Sequence, residues 1–354
     1  MEFEPLKDTT KSGKERPWNS KKRMSLETAS IYDETASVYG KESLENKAKR
    51  MGDCGDILTF KQTPEGLRLN QAFFCKVRLC PMCNWRRSLK LTYENRRIVE
   101  VANSRQKLRW IFLTLTVRNC KGDKLDETIK SMSHAYRERF MKYGRVKDSI
   151  EGWFRALEIT KNNEDNTYHP HYHVLIAVKP SYFRSKNKYI NQEEWTDLWK
   201  EAMKLSYTPV VHVQAVKARK TKKDFKEIVI DIENSISEAQ SVSKAILEVS
   251  KYTVKDTDIL NGTEEQKIET VYTLDNAMAH KRLVAWGGCL KKIREELRLE
   301  QKEDDLIHID DNNVDEVSEE IQKVTAYWNY GLSEYVLKDI KKLPMPENNG
   351  SHEK

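Results

Sequence analysis

The sequence predicts an α+β protein, an antiparallel sheet with helices on one face, preceded by a small cysteine-rich, zinc-binding region. Three observations lead there. Between Trp110 and Val216 the segment types follow the order strand, helix, strand, strand, helix, strand. The cluster His169-Pro170-His171-Tyr172-His173 runs straight into the apolar Val174-Leu175-Ile176-Ala177-Val178. Four cysteines, Cys54, Cys75, Cys80 and Cys83, stand ahead of that alternation.

The bulk numbers bound the rest. A chain of 354 residues with 38% hydrophobic and 33% charged residues can bury a core under a heavily charged surface. The net charge of +7 is modest, so its distribution matters more than its total. No apolar run approaches the roughly 20 residues of a membrane span, and Met1-Glu2-Phe3-Glu4-Pro5 has no apolar signal core. A cytoplasmic setting is expected, where disulfides are disfavoured.

Residues 1–50 are polar and carry no sustained apolar period, which predicts a largely disordered lead with a short helix around Leu44 to Met51. In residues 51–108 the close set Cys75-x4-Cys80-Pro81-Met82-Cys83 places three thiols within nine residues. With Cys54 upstream this fits a tetrahedral four-cysteine zinc site, although whether Cys54 completes it stays open. Cys-x-x-Cys alone also occurs as a redox pair; the neighbouring Cys75 favours zinc. From Lys76 to Arg109 ten Lys or Arg face two Glu, with Arg86, Arg87 and Lys90 beside Trp85. Such an excess next to a zinc site points to a phosphate backbone, and Ser88 to Ala102 reads as the helix that carries it.

The alternation follows. Trp110 to Val117, Trp153 to Thr160, His171 to Val178 and Pro209 to Val216 read as strands. Leu125, Ile129, Met132, Tyr136 and Phe140 mark one helical face, and Gln192 to Leu205 with Trp195 and Trp199 marks another. The order matches the split, ferredoxin-like arrangement, whose open face is free to carry a site. Alternate residues of a strand share a face, so His169, His171 and His173 project together, as a divalent metal requires.

After the basic run Lys217 to Lys223, a helix is expected over Ser241 to Lys255. Glu248 and Tyr252 are four apart on it, flanked by Lys244, Lys251 and Lys255. More helix is expected from Thr273 to Trp286, broken at Gly287-Gly288 and resumed from Leu290 to Leu299. Residues 301–354 read as an acidic linker and tail: Glu303 to Glu320 holds nine acids and no Lys or Arg. Thr325 to Leu337 is aromatic enough to dock as a last element.

Three features stand in sequence: the cysteines with Trp85-Arg86-Arg87, the histidine cluster, and Glu248-x3-Tyr252-Thr253-Val254-Lys255-Asp256. From about Cys54 to about Leu290 the chain resembles the HUH-endonuclease replication initiators (Rep proteins) of rolling-circle plasmids of Gram-positive bacteria. The resemblance implies an HUH endonuclease domain over residues 109–300 that nicks a plasmid double-strand origin, at a single-stranded site in a hairpin. It implies Tyr252 as nucleophile, Glu248 as the base of a terminating second cleavage, and Lys251 and Lys255 as DNA contacts. It implies Mg²⁺ or Mn²⁺ held by His171 and His173, with the third ligand open between Glu158 and His169. Host helicase and DNA polymerase are the implied partners, and a homo-oligomer stays open. A zinc-dependent nucleobase deaminase is excluded, because that class needs His-x-Glu before Pro-Cys-x-x-Cys. A non-catalytic zinc DNA-binding regulator would leave the histidines and Tyr252 idle. A transposase or relaxase shares the chemistry, but the glutamate before a single tyrosine favours an initiator.

Overall fold

The structure is a computed structural model that describes residues 4–10, 13–64, 66–216, 242–251, 253–299, 305–309 and 323–338. Tyr252, the basic run 217–223, most of the acidic stretch 303–320 and the tail after 338 lie outside the described residues.

In chain order the elements are α1 (Trp18–Tyr39), α2 (Glu42–Gly52), β1 (Ile57–Thr63), β2 (Gly66–Ala72), α3 (Pro81–Arg105), β3 (Arg109–Thr116), β4 (Cys120–Lys121), α4 (Gly122–Glu138) and α5 (Gly144–Ser149). Then come β5 (Ile150–Asn162), β6 (Thr167–Val178), α6 (Gln192–Met203), β7 (Val211–Val216), α7 (Val242–Val249), α8 (Asp256–Leu260) and α9 (Glu264–Met278). The last are β8 (Val284–Gly287), α10 (Gly288–Glu296), β9 (Lys323–Asn329) and β10 (Glu334–Leu337).

The larger sheet has the order β7-β3-β6-β5-β8, with β4 pairing β6, and its neighbours are antiparallel. β6 splits β3 from β5, and β7 lies outside β3, as the element order predicts. Strand alternation assigns the faces. Leu113, Leu157, Tyr172, Val174 and Ile176 face α4 and α6, whose Leu125, Ile129, Met132, Trp195 and Trp199 fill that side. Each of these tryptophans is fully buried, removing roughly 200 Å² from water, worth about 5 kcal/mol. Trp199 also donates its indole N–H to the Thr116 carbonyl at 2.8 Å, so its polar atom is satisfied. An Asn191–Glu194 capping box starts α6.

The opposite face is shared. Phe112, Phe154, Leu175 and Ala177 pack under α3, α7 and α10 through Ile98, Ala245, Ile246 and Ile293. The other end of the same face, where Glu158, His171 and His173 project, is where the candidate site lies.

A second, four-stranded sheet has the order β10-β9-β1-β2. It packs with α1 and α2 around the cysteines, and Phe60, Trp328 and Tyr335 fill its inner side. Residues 323–337 therefore close this module as a hairpin, rather than trailing in an acidic tail. The N-terminal expectation needs a larger correction. Trp18–Tyr39 is a 22-residue helix with Trp18, Ile31 and Tyr32 buried, not a disordered lead. The helix expected near Leu44 is present as α2.

Two further expectations differ. The helix expected over Ser241 to Lys255 stops at Val249, and the N–H of Ser250 still bonds to the Ile246 carbonyl. The helix expected through Trp286 stops at Met278, with His280 left-handed at φ 56°, and Val284–Gly287 joins β5 as an edge strand. Gly288 is required there: at φ 60° an added Cβ would sit 2.3 Å from the Glu151 carbonyl oxygen.

Candidate active site

Two antiparallel strands build the first group. Glu158 on β5 is registered opposite His171 on β6, and Ala156 opposite His173, so all three functional side chains share one face. His173 Nε2 lies 2.9 Å from Glu158 Oε2, and His171 Nε2 lies 3.5 Å from the same oxygen. One nitrogen or oxygen from each residue falls within 4.8 Å of the others. Glu158, His171 and His173 are 7%, 8% and 9% exposed, so the group is buried yet reached from one side.

Hydrogen bonds orient these ligands. His171 Nδ1 is 3.1 Å from the His169 carbonyl oxygen. A carbonyl only accepts, so Nδ1 carries a proton, and a metal would take the place of the Nε2 proton that faces Glu158. His173 Nδ1 has Thr114 Oγ1 at 3.3 Å, a hydroxyl that can either donate or accept. Burial pushes the Glu158 carboxyl up, but hydrogen bonds from His171 and His173 outweigh it and hold the group well below the usual carboxylate range. Two imidazole nitrogens and an ionised carboxylate are a donor set for a divalent cation. His169, the alternative third ligand, pairs with Thr160 two positions further along and stands outside this group, stacked on His171 with ring centroids 5.1 Å apart. Lys255 Nζ is 3.7 Å from Glu158 Oε1, at the exposed rim.

The segment meant to carry the nucleophile borders this group. The N–H of Ile159, the residue after Glu158, donates to the Thr253 carbonyl at 2.7 Å. Asn95 on α3 donates to Ser250 Oγ at 3.1 Å. Residues 250 and 253 are thus tied down on either side of Tyr252, which itself lies outside the described residues. Neither Thr253 nor Asn95 is identifiable from sequence, because their contributions are a backbone carbonyl and a packing contact. Glu248 is half-buried and pairs with Lys251 at 2.6 Å.

The second group is the cysteine set. Cys54, Cys75, Cys80 and Cys83 are fully buried, with sulfur separations of 3.6 Å (Cys54–Cys83), 3.6 Å (Cys75–Cys83) and 3.7 Å (Cys54–Cys80). A disulfide needs about 2.05 Å, whereas four sulfurs tetrahedral at about 2.3 Å from zinc stand roughly 3.8 Å apart. The backbone N–H groups of Cys75 and Lys76 point at the sulfurs of Cys54 and Cys83 at 3.4 and 3.3 Å, as thiolates favour. Cys54 belongs to the group. Donating its S–H to Cys75, Cys80 and Cys83 pushes the Cys54 thiol far up, and four thiolates brought together would call for a cation. Lys22, from α1, donates to the Gly52 and Cys54 carbonyls at 2.6 and 3.2 Å and pins the loop that carries Cys54.

The basic block is placed differently from expectation. Arg86 and Lys90 are each 5% exposed. Arg86 donates to the Leu306 and Ile307 carbonyls at 2.8 and 2.9 Å, and Lys90 to the Asp305 carbonyl at 2.7 Å. These two cations brace residues 305–307, and Lys90 also lines a cavity that it shares with Arg87. Arg87 donates to the Lys76 and Val77 carbonyls at 2.6 and 3.2 Å but keeps one side on a cavity of about 360 Å³. That cavity adjoins Lys251 and Thr253 and is also lined by Lys76, Arg78, Lys281 and Arg282. Lys76 and Arg282 are exposed.

No helix among the described residues is long and apolar enough to cross a membrane. No solved structure matches the chain. Relatives do. A protein named "Protein rep" from Bacillus amyloliquefaciens is 48% identical over 342 residues, covering 95% of this chain and 98% of the relative. One of the same name from Lentilactobacillus hilgardii is 38% identical, covering 94% and 98%. A "Replication protein" from Staphylococcus aureus is 36% identical over 244 residues, covering 68% and 96%. The family described as "Replication protein" matches residues 66–336, a span that takes in Cys75, Cys80 and Cys83, the histidine strand and β9, and the chain belongs to that family.

Proposed function

We propose that the chain initiates rolling-circle replication of a plasmid by binding the double-strand origin and nicking one strand, with Tyr252 as nucleophile. The observation that carries this reading is the convergence of Glu158, His171 and His173 one residue from the anchored segment that holds Tyr252. Glu158, His171 and His173 would hold Mg²⁺ or Mn²⁺, which supplies charge neutralisation at the scissile phosphate. The Tyr252 oxygen attacks phosphorus and forms a 5′-phosphotyrosine ester as the P–O3′ bond breaks. The tyrosine proton leaves to solvent and the 3′ oxygen departs as a hydroxyl that can prime a polymerase. Because an ester replaces an ester, the bond energy is kept for rejoining. Lys255, at the rim beside Glu158, and Lys251 would contact the strand's phosphates.

Ending the cycle needs a second cleavage. Glu248 is half-exposed and would act there as general base for water. The cysteine module would hold a structural Zn²⁺. Host helicase and DNA polymerase are the partners such an initiator requires. The direct test is incubation of the protein with supercoiled plasmid carrying the candidate origin and Mg²⁺ or Mn²⁺. A nicked circle with protein linked to its 5′ end is expected; intact supercoiled plasmid, or a nick with a free 5′ phosphate, would overturn the reading.

A further inference from the structure

The loop between β6 and α6 carries an arrangement that the nicking chemistry does not use. Residues 179–190 hold Lys179, Arg184, Lys186 and Lys188 and no acid. They form a compact loop closed on itself. Tyr182, 2% exposed, donates its phenol hydrogen to the Ile190 carbonyl at 3.0 Å and accepts the Ile190 N–H at 3.2 Å. Ser149 donates to the Lys188 carbonyl at 3.0 Å, and the N–H of Tyr189 bonds to the Ser185 carbonyl at 2.9 Å. The backbone is thus held in place while its larger side chains face solvent. Phe183 and Tyr189 are 38% and 45% exposed, with ring centroids 6.4 Å apart, and each ring packs on Tyr182. Arg184, Lys186 and Lys188 are exposed, and among the described residues no carboxylate pairs with them. Two acids close by are already engaged: Glu151 pairs with Lys179 at 3.3 Å and Glu194 with Arg145 at 2.5 Å. Arg109, registered opposite Val178 at this end of the sheet, is exposed as well.

Two aromatic rings left open to water on a well-tied loop call for a partner that covers them. We infer that residues 179–190 form a second DNA-binding surface, which takes an unpaired strand away from the histidine site. Charge complementarity selects a polyanion. The rings select a single strand: an unpaired base offers its π-face to an aromatic side chain, whereas bases in a duplex stack on one another and are closed to it. Cations interleaved with exposed rings are the combination that such platforms use, the first for phosphates and the second for bases. The loop begins after Val178, five residues beyond His173 on the same strand, or about 17 Å away at roughly 3.3 Å per residue. The surface is therefore distinct from the Glu158–His171–His173 group. It would hold strand that has left the cutting site and keep its bases from pairing again. The inference rests on the reading of the chain as a protein that opens and nicks an origin, but not on its nucleophile or its metal.

The test is binding alone, with the full chain, in buffer without Mg²⁺ or Mn²⁺. Fluorescence anisotropy with labelled oligothymidylate is followed across a salt series for the parent, for Phe183→Ala/Tyr189→Ala and for Arg184→Gln/Lys186→Gln/Lys188→Gln. Loss of a stacked base weakens binding about fivefold or more, so the ring variant should bind at least about fivefold more weakly with an unchanged salt slope. Each lost phosphate contact makes log K against log salt shallower by about 0.7 on a single strand, so the charge variant should be shallower by about two units. A labelled duplex of matched length is measured in parallel, and the ring variant should bind it as the parent does. If the ring variant does not fold, photocross-linking of the parent to an iodouracil-substituted oligonucleotide reads the contact directly, with adducts expected on Phe183 or Tyr189. Unchanged affinity and slope in folded variants, or adducts confined to other parts of the chain, would overturn the inference. Equal weakening of the ring variant on duplex would overturn the single strand as occupant. A parent that nicks origin plasmid while the folded variants bind oligothymidylate as it does would remove this surface and leave the proposed function standing. A parent that never nicks, with both variants weakened as expected, would do the reverse.

Discussion

The N–H of Ile159 donates to the carbonyl of Thr253 at 2.7 Å, and this bond sets the spacing between the two halves of the candidate active site. Glu158 precedes the donor and Tyr252 precedes the acceptor. A strand edge thus fixes the segment around the proposed nucleophile against the strand that carries Glu158, without help from either side chain. Tyr252→Phe should therefore leave this frame intact. We expect normal duplex binding and a loss of the 5′-linked adduct by more than about 10³-fold, read by gel shift of labelled plasmid after protease omission. A retained adduct would assign the nucleophile elsewhere.

Removing one ligand from the Glu158–His171–His173 group should weaken the cation without unfolding the sheet. His171→Ala and Glu158→Gln are each expected to raise the dissociation constant for Mn²⁺ at least about 100-fold, with a parallel fall in nicking at fixed metal. Paramagnetic resonance titration of Mn²⁺ reads the first quantity independently of activity. His169→Ala, outside the group, should change Mn²⁺ affinity by less than about tenfold.

The cysteine geometry predicts about one zinc per chain by elemental analysis. Cys80→Ser should release that zinc and cost several kcal/mol of stability, since metal binding to such a site is folding free energy. The lost stability should appear as a lower thermal midpoint that the parent protein reproduces on chelation. Zinc-free protein with the parent's midpoint would reject a structural metal.

Glu248→Ala should nick an origin and form the Tyr252 adduct as the parent does. On a two-origin template it should fail to release monomer circles and give multimer-length products. Glu248→Tyr should partly restore strand transfer by offering a second nucleophile. Normal monomer release from Glu248→Ala would confine Glu248 to its ion pair with Lys251, a contact worth about 0.5 kcal/mol or less.

Burial separates two kinds of cation in the basic block. Arg86→Met removes two charge-assisted hydrogen bonds to the Leu306 and Ile307 carbonyls and should cost about 2–4 kcal/mol in urea unfolding, with little effect on the DNA affinity of the folded fraction. Arg282→Ala, exposed on the rim of the cavity beside Lys251, should do the reverse, leaving stability within about 0.5 kcal/mol and weakening DNA binding.

What was legible in the sequence follows from period and spacing. A strand puts every second residue on one face, so His171 and His173 announce a shared site, and the three close cysteines announce theirs. The third member of that group needed the register of β5 against β6, which brings Glu158 rather than His169 beside His171 and His173. Helix α1 was missed because Lys22, Ser25, Thr28 and Thr35 interrupt the apolar residues of its buried face. Ser25, Thr28 and Thr35 satisfy their hydroxyls on the Lys21, Met24 and Ile31 carbonyls at 2.8, 2.8 and 2.5 Å, so no apolar period marks the buried side. The end of α9 was missed because His280, not glycine, takes the left-handed turn. The basic block misled because a charge count does not distinguish an arginine facing solvent from one bonded to carbonyls.

The order β10-β9-β1-β2 joins strands separated by about 260 residues. A ribosome adding about 5–20 residues per second needs roughly 13–50 seconds to supply β9 after β1 has emerged. Throughout that interval β1 has a bare edge and Phe60 lacks the cover of Trp328 and Tyr335. The four-stranded sheet can thus close around the cysteines only near the end of translation, when the strands of the larger sheet are already synthesised.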